Sequence, residues 1–285
     1  LDKYAKASPV PLTPKTLIEI GLAAGSEIMA VYADSTFRHI HKGDGSPVTE
    51  ADHRAEAVIL KALSAEAAGI PVVAEEEVSA GRIPAASERF FLVDPLDGTR
   101  EFINRNGEFT VNIALIEKDR PVLGMIYAPA LGQIFVAVNG VAWRTDVTHG
   151  LAGELRPIQA RPAPKRLAAV GSRSNCTDET MDWLKRFDVD GFVSRGSSLK
   201  FCLVACGEAD VYPRFGRTME WDTAAGDAIL RAAGGVTTTI DGIPMTYGNR
   251  GRVGEADFAN PAFLAFGDPA LRDASDRPIL AVSCP

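Results

Sequence analysis

The first seventy residues carry their apolar positions at helical spacing. Leu17, Ile20, Ala24, Ile28 and Val31 recur three or four apart, which predicts a helix with one buried face. Thr13-Pro14 marks its start, with threonine as cap and proline at the first helical position, where a backbone N–H has no partner to lose. A second helix is expected after Thr49, carrying Ala55, Ile59, Ala62 and Leu63. The intervening HKGDGSPVTEAD reads as a polar loop, with His39 and His41 solvated near its start.

From residue 71 the period shortens. PVVA, FFLV, TVNIALI, VLGMIYA and QIFVAV read as strands, and Asn139-Gly140 as a hairpin turn leading into VAWR. Short links favour antiparallel pairing. RPIQARPAPKR, residues 156 to 166, is rich in proline and arginine and marks a boundary between residues 1–155, an α+β half, and residues 156–285, an α/β half. In the second half LAAV, ADVY, VTTTI and AFLAF are expected strands, while TDETMDWLKRF, SLKFCLVACG and DTAAGDAILRAAGG are expected helices, two of them closed by glycine. The fold class is α/β, of mixed α+β character, with helices layered on a sheet in each half.

Composition narrows the partners. The chain has 285 residues, 46% of them hydrophobic, and a net charge of −7; an acidic protein of this kind is not a general binder of nucleic acid polymers. Cys202 and Cys206 lie one helical turn apart in an apolar segment, and Cys176 and Cys284 are isolated, so buried thiols are expected rather than a zinc site or disulfides. No stretch reads as a membrane span or signal peptide. A reducing cytoplasm is the expected setting, peripheral association with the inner membrane and homodimerisation are left open, and the start at Leu1 is compatible with a short preceding leader.

The candidate chemistry lies where apolar elements stop. RFFLVDPLDGTREF, residues 89 to 102, delivers Asp94, Asp97 and Thr99 at one turn. Asp52 follows Thr49 in VTEAD, Glu75 follows PVVA, and Asp222 opens DTAAGDA. Each has a structural alternative: DPLDG is a strong turn signal, Thr49 and Asp52 fit a capping box, Glu75 fits a solvated acidic run, and Asp222 can cap its helix. Strand ends and helix starts are also where a layered fold gathers distant residues. Two carboxylates about 4 Å apart repel by roughly 4 kcal/mol at an effective dielectric near 20. Convergence of these acids would therefore call for a cation, and an oxygen-only donor set suits Mg²⁺, with Mn²⁺ as substitute.

DPLDGT at 94–99, WDTAAG at 221–226, the Glu75-Glu76 pair and VTEAD together resemble the inositol monophosphatase superfamily of lithium-sensitive, Mg²⁺-dependent phosphomonoesterases. RNGEFTVNIALI, VGSRSN and SSLKFCLVACGEADVYPRFGRTMEWDTAAGDA look most like its CysQ branch, the 3′(2′),5′-bisphosphate nucleotidases. The resemblance implies a layered αβαβα sandwich and hydrolysis of 3′-phosphoadenosine 5′-phosphate to AMP and phosphate, clearing a by-product of sulfate assimilation. Carried across by motif, Glu75, Asp94 and the carbonyl of Leu96 hold one Mg²⁺, and Asp94, Asp97 and Asp222 a second, with a third, weaker ion near Glu75. Asp52 and Thr99 orient the attacking water. Gly98 and Thr99 offer backbone N–H groups to the phosphate, and Ser172, Arg173, Lys200, Arg214 and Asp222 contact the substrate, with Arg217 close by. One departure from the branch is Asn175, where a histidine is expected. An inositol or sugar phosphate monoesterase is the alternative enzyme, and a non-catalytic nucleotide or metal sensor the alternative of another class.

Overall fold

A computed structural model describes residues 10–34, 39–41, 47–172 and 177–274. Arg173, Asn175, Cys176 and Cys284 lie outside them. Helix α1 (Pro14–Ala33) starts as its sequence predicts, with the Thr13 side chain accepting from the Thr16 N–H. Two short strands follow, β1 (His39–His41) and β2 (Pro47–Thr49), paired antiparallel, so the expected polar loop is in part a small ribbon. Helix α2 (Glu50–Glu66) begins with the capping box of Thr49 and Asp52.

The first large sheet contains β3 (Val72–Ala74), β4 (Arg89–Asp97), β5 (Thr110–Glu117), β6 (Arg120–Ala128), β7 (Gln133–Val138), β8 (Val141–Thr148), β9 (Leu151–Ala152) and β10 (Arg156–Pro157). Its pairings are antiparallel except β3 with β4, which run parallel. Asn139 (φ 52°) and Gly140 (φ 75°) make the two-residue turn between β7 and β8, the left-handed pair that matches strand twist. One-turn helices α3 (Glu75–Ser79) and α4 (Thr99–Ile103) sit at the ends of β3 and β4.

The second sheet has the order β12 (Val189–Ser194), β11 (Leu167–Gly171), β13 (Val211–Arg214), β15 (Phe263–Phe266), β14 (Val236–Thr239). Helices α5 (Asp178–Leu184), α6 (Leu199–Ala205), α7 (Glu220–Ala232) and α8 (Ala270–Ala274) complete the chain. Strand β12 escapes sequence reading because it is an edge strand whose residues are largely exposed, so it has no apolar alternation to display.

Alternation along β5 shows how the layers form. Val111, Ile113 and Leu115 face α1 and α2, packing with Leu17, Ile28 and Ile59. Ala114 and Ile116 face the other way, toward α6, α7 and the second sheet. The far side of that sheet, with Val211, Leu264 and Phe266, is covered by Trp183 and Leu184 of α5. The order is therefore helices, sheet, helices, sheet, helices. Gly124 of β6 lets α7 approach closely, since a Cβ there would stand 2.5 Å from the Ala225 carbonyl.

One sequence expectation is corrected by α1. Its 20 residues, with a mean hydropathy of 1.3 over the most apolar stretch, are long and apolar enough to cross a membrane. Here its buried residues, Leu17, Ile20, Ala24 and Ile28 among them, pack in the core.

Candidate active site

The DPLDGT turn is built by a register shift. Strand β4 pairs with β5 through Asp94 opposite Asn112, slips, and resumes with Asp97 opposite Thr110. The Leu96 N–H donates to Asp94 Oδ1 at 3.0 Å and closes the bulge. Gly98 then takes a left-handed conformation (φ 87°), and a Cβ there would meet the Glu101 carboxylate at 3.2 Å and the Glu108 carbonyl at 3.3 Å. An L side chain there would be strained by the angle and crowded by its neighbours.

Thr99 Oγ1 lies 3.3 Å from Asp52 Oδ1 and 3.3 Å from the Leu96 carbonyl. The other oxygen of Asp52 accepts from the Thr49 backbone N–H at 2.8 Å and its hydroxyl at 2.7 Å. The two readings of Asp52 therefore coexist: one oxygen caps α2, and the other faces the threonine.

The remaining acids arrive from three directions. Ala74 pairs with Val93 on parallel strands, so Glu75 and Asp94 leave adjacent strand ends. Asp97 Oδ2 accepts from the Ser197 hydroxyl and the Ser198 N–H, both at 2.6 Å. Asp222 Oδ2 accepts from the Met219 N–H at 2.8 Å at the start of α7. Burial, and after it the negative charges of Asp97 and Glu75, push the Asp222 carboxyl well above the ordinary carboxylate range. Residues from α3, β4 and α7 thus share one field.

Among the described residues no three His, Cys, Asp or Glu side chains stand close enough together to hold an ion as placed. Asp94, Asp97 and Asp222 each direct an oxygen to a protein N–H instead, as expected of mutually repelling carboxylates. The donor chemistry, carboxylates with the Leu96 carbonyl and no thiolate or imidazole, fits a hard divalent cation.

Beside these acids lies a cleft of about 520 Å³, including its open mouth, lined by Asp97, Gly98, Ser172, Lys200, Arg214 and Asp222. Its walls also include Glu101, Ser197, Ser198, Tyr212 and Thr218, which lie within the motif segments but to which the sequence assigns no role. The Arg214 guanidinium donates to the carbonyls of Gly216, at 3.1 Å, and Arg217, at 3.2 Å. Arg217 does not line the cleft, and one of its nitrogens lies 3.9 Å from Met219 Sδ. Lys200 is 5% exposed. Its ammonium donates to the Ser197 carbonyl and lies 5.4 Å from the centre of the Tyr212 ring. Burial lowers its pKa to about 8, with Asp97 opposing and Arg214 adding to the effect.

A buried acid that the sequence hides is Glu56, on α2, which is 4% exposed and accepts from the Glu76 N–H at 2.9 Å. Burial pushes its carboxyl up to about 7 from the ordinary 4.5; the Glu76 N–H opposes this, and the charges of Glu76, Glu77 and Glu75 add to it. Because the folded value is the higher one, the stability due to neutral Glu56 is complete below about 4.5 and lost as pH rises through about 7. In metal-free buffer Glu56→Gln is expected to melt several degrees above wild type at pH 8, an effect on the order of 3 kcal/mol, and to converge with it near pH 4.5. Melting curves at both values check this; a constant difference would contradict it.

A family model described as the inositol monophosphatase family matches residues 13–265. A Salmonella typhimurium protein named 3′(2′),5′-bisphosphate nucleotidase CysQ is 46% identical over 241 residues, covering 84% of this chain and 94% of that protein. The protein of the same name from Escherichia coli strain K12 is 44% identical over 242 residues, again 84% and 94% of the two chains. Among solved structures, CysQ from Bacteroides thetaiotaomicron superposes with a TM-score of 0.72 at 37% identity, over 88% of this chain and 96% of that one. An Anabaena inositol monophosphatase superposes with a TM-score of 0.70 at 24% identity, over 93% and 96%, a likeness of fold.

Proposed function

Because this chain belongs to the inositol monophosphatase family, we propose that it is a Mg²⁺-dependent phosphomonoesterase that removes the 3′-phosphate of 3′-phosphoadenosine 5′-phosphate, yielding AMP and phosphate. The observation that carries the reaction is the contact between Thr99 Oγ1 and Asp52 Oδ1 at 3.3 Å, made across 47 positions of sequence beside the Leu96 carbonyl. A cap alone does not require that contact.

Glu75, Asp94, Asp97, Asp222 and the Leu96 carbonyl are the residues that would hold two Mg²⁺ ions, with a third near Glu75. Bound there, the ions would offset charge on the phosphoryl oxygens and acidify the attacking water. Asp52 accepts the Thr99 hydroxyl proton as a hydrogen bond, which turns a threonine lone pair toward the water and aligns it for in-line attack. The bond from phosphorus to water oxygen forms as the bond to the 3′-oxygen breaks; the water gives up a proton and the leaving oxygen takes one up. Gly98 and Thr99 present backbone N–H groups at the turn.

The substrate assignment is supported by the names of the relatives over 84% of the chain and by the cleft's basic residues. Lys200 and Arg214, which line the cleft together with Ser172, suit an ester bearing a second phosphate better than a neutral polyol, because that phosphate needs a cation when it leaves water. The setting consistent with this reading is the cytoplasm. Arg214→Ala is expected to raise KM for the bisphosphate about tenfold, the scale of one charge-assisted contact, with kcat within about threefold. Steady-state kinetics decide it: an unchanged KM would remove Arg214 from the substrate site.

A further inference from the structure

The segment RNGEFTVNIALI, residues 105 to 116, is not explained by the reaction itself. Its odd-numbered members from Phe109 to Leu115 are buried against the outer helices. Of the even-numbered members, Ala114 and Ile116 are apolar, but Glu108, Thr110 and Asn112 are polar and buried, at 8%, 0% and 0% exposure. Three polar groups in a row on a core-facing edge would be costly without partners. Partners for Glu108, Thr110 and the Asn112 carbonyl oxygen come from the loop that links β12 to α6, while the Asn112 amide nitrogen is buried without one.

Glu108 accepts from Arg195 Nη1 at 2.8 Å and from the Gly196 N–H at 2.9 Å. Thr110 Oγ1 is hydrogen-bonded to the hydroxyls of Ser197 and Ser198, the latter at 2.8 Å. Asn112 Oδ1 accepts from the Ser198 hydroxyl at 2.7 Å. The rail therefore engages Arg195, Gly196, Ser197 and Ser198 in order. Ser197 is held at φ 55°, a left-handed angle that a serine keeps only where its surroundings over-determine it. Neither Glu108 nor Thr110 lines the cleft, whereas Ser197, Ser198 and Lys200 do. The Lys200 ammonium is fixed by this loop, donating to the carbonyls of Ser197 and Arg195, the latter at 3.4 Å.

We infer that Glu108, Thr110 and Asn112 form a positioning rail that sets the 195–198 loop, and through its carbonyls the Lys200 ammonium, for recognition of the substrate's second, uncleaved phosphate. This rests on the bisphosphate reading of the cleft. The rail acts on substrate selection and leaves the reacting phosphate to the acids and Thr99. The same loop donates to Asp97 Oδ2 through the Ser197 hydroxyl and the Ser198 N–H, whereas Glu108 engages Arg195 and Gly196, so substitution at Glu108 is the change that separates selection from the acids.

The test uses the full chain with Mg²⁺ and two esters, 3′-phosphoadenosine 5′-phosphate and adenosine 3′-monophosphate, which lacks the second phosphate. Glu108→Gln keeps the shape and an acceptor for the Gly196 N–H but removes the charge that holds Arg195. We expect its kcat/KM for the bisphosphate to fall about tenfold, through KM, with the monophosphate within twofold of wild type. Thr110→Val, which keeps the shape and removes the hydroxyl, is expected to lower the same ratio about threefold and provides the readout if Glu108→Gln does not fold. Arg195→Gln should reproduce the Glu108→Gln loss, and the double variant should add nothing to it. Equal losses on both esters, or no change in their ratio, would overturn the rail as a selectivity device. A wild-type protein inactive on both would instead overturn the phosphatase reading on which it stands.

Discussion

Asp94→Asn is expected to lower kcat by about a thousandfold or more while leaving the fold in place. The carboxyl is 1% exposed and Oδ1 accepts the Leu96 N–H at 3.0 Å; an asparagine oxygen can accept the same bond, so the bulge survives. What is lost is the negative charge. In the proposed arrangement Asp94 serves both ion positions, and removing a ligand shared between them withdraws several kcal/mol of charge stabilisation from the transition state. The signature is double: turnover disappears, and so does the rise in melting temperature that Mg²⁺ is expected to give the native wild type. Metal-free melting should remain within a few degrees of wild type. Near-normal turnover by this variant would sink the assignment of Asp94 as a shared ligand.

The second large effect is Thr99→Ala, for which a loss of about a hundred- to a thousandfold in kcat is expected, the scale on which a misplaced attacking water slows reaction. The hydroxyl lies between Asp52 Oδ1 and the Leu96 carbonyl, 3.3 Å from each. Alanine leaves Asp52 bonded to Thr49, so α2 keeps its cap and the loss is not one of stability. Thr99→Ser restores the hydroxyl and should recover activity to within about tenfold. If serine and alanine were equally impaired, the methyl group rather than the hydroxyl would be the relevant feature, and the water-orienting role would fall.

These expectations could be written from sequence because the turn, caps and strand ends have local signatures. Thr13-Pro14, the Thr49–Asp52 box and Asn139-Gly140 all sit as expected, since each is decided by neighbours a few residues away. Asp94, Asp97, Asp222 and Thr99 were legible for a related reason: they stand where an apolar run ends. What stayed hidden depends on distant partners. Ser197 and Ser198 open the SSLKF segment, but their hold on Asp97, about a hundred residues earlier, shows only when the two are placed together.

Glu56 shows the opposite difficulty. On α2 its position next to Ala55 gives no sign that it is buried, and only the arrival of α3 over it, with the Glu76 N–H donating, explains why a carboxyl is tolerated there. Strand β12 and the ribbon of β1 and β2 were missed because an exposed edge and three-residue strands carry too little apolar alternation to read. In α1 the apolar content exceeds what one buried face needs, so composition alone does not separate a core helix from a spanning one.

The most direct measurement is phosphate release with Mg²⁺ from 3′-phosphoadenosine 5′-phosphate and from inositol 1-phosphate, compared as kcat/KM. A preference of at least a hundredfold for the bisphosphate is the predicted result, about 3 kcal/mol of transition-state discrimination. Preference for inositol 1-phosphate would contradict the substrate assignment, and absence of turnover with either would contradict the phosphatase itself.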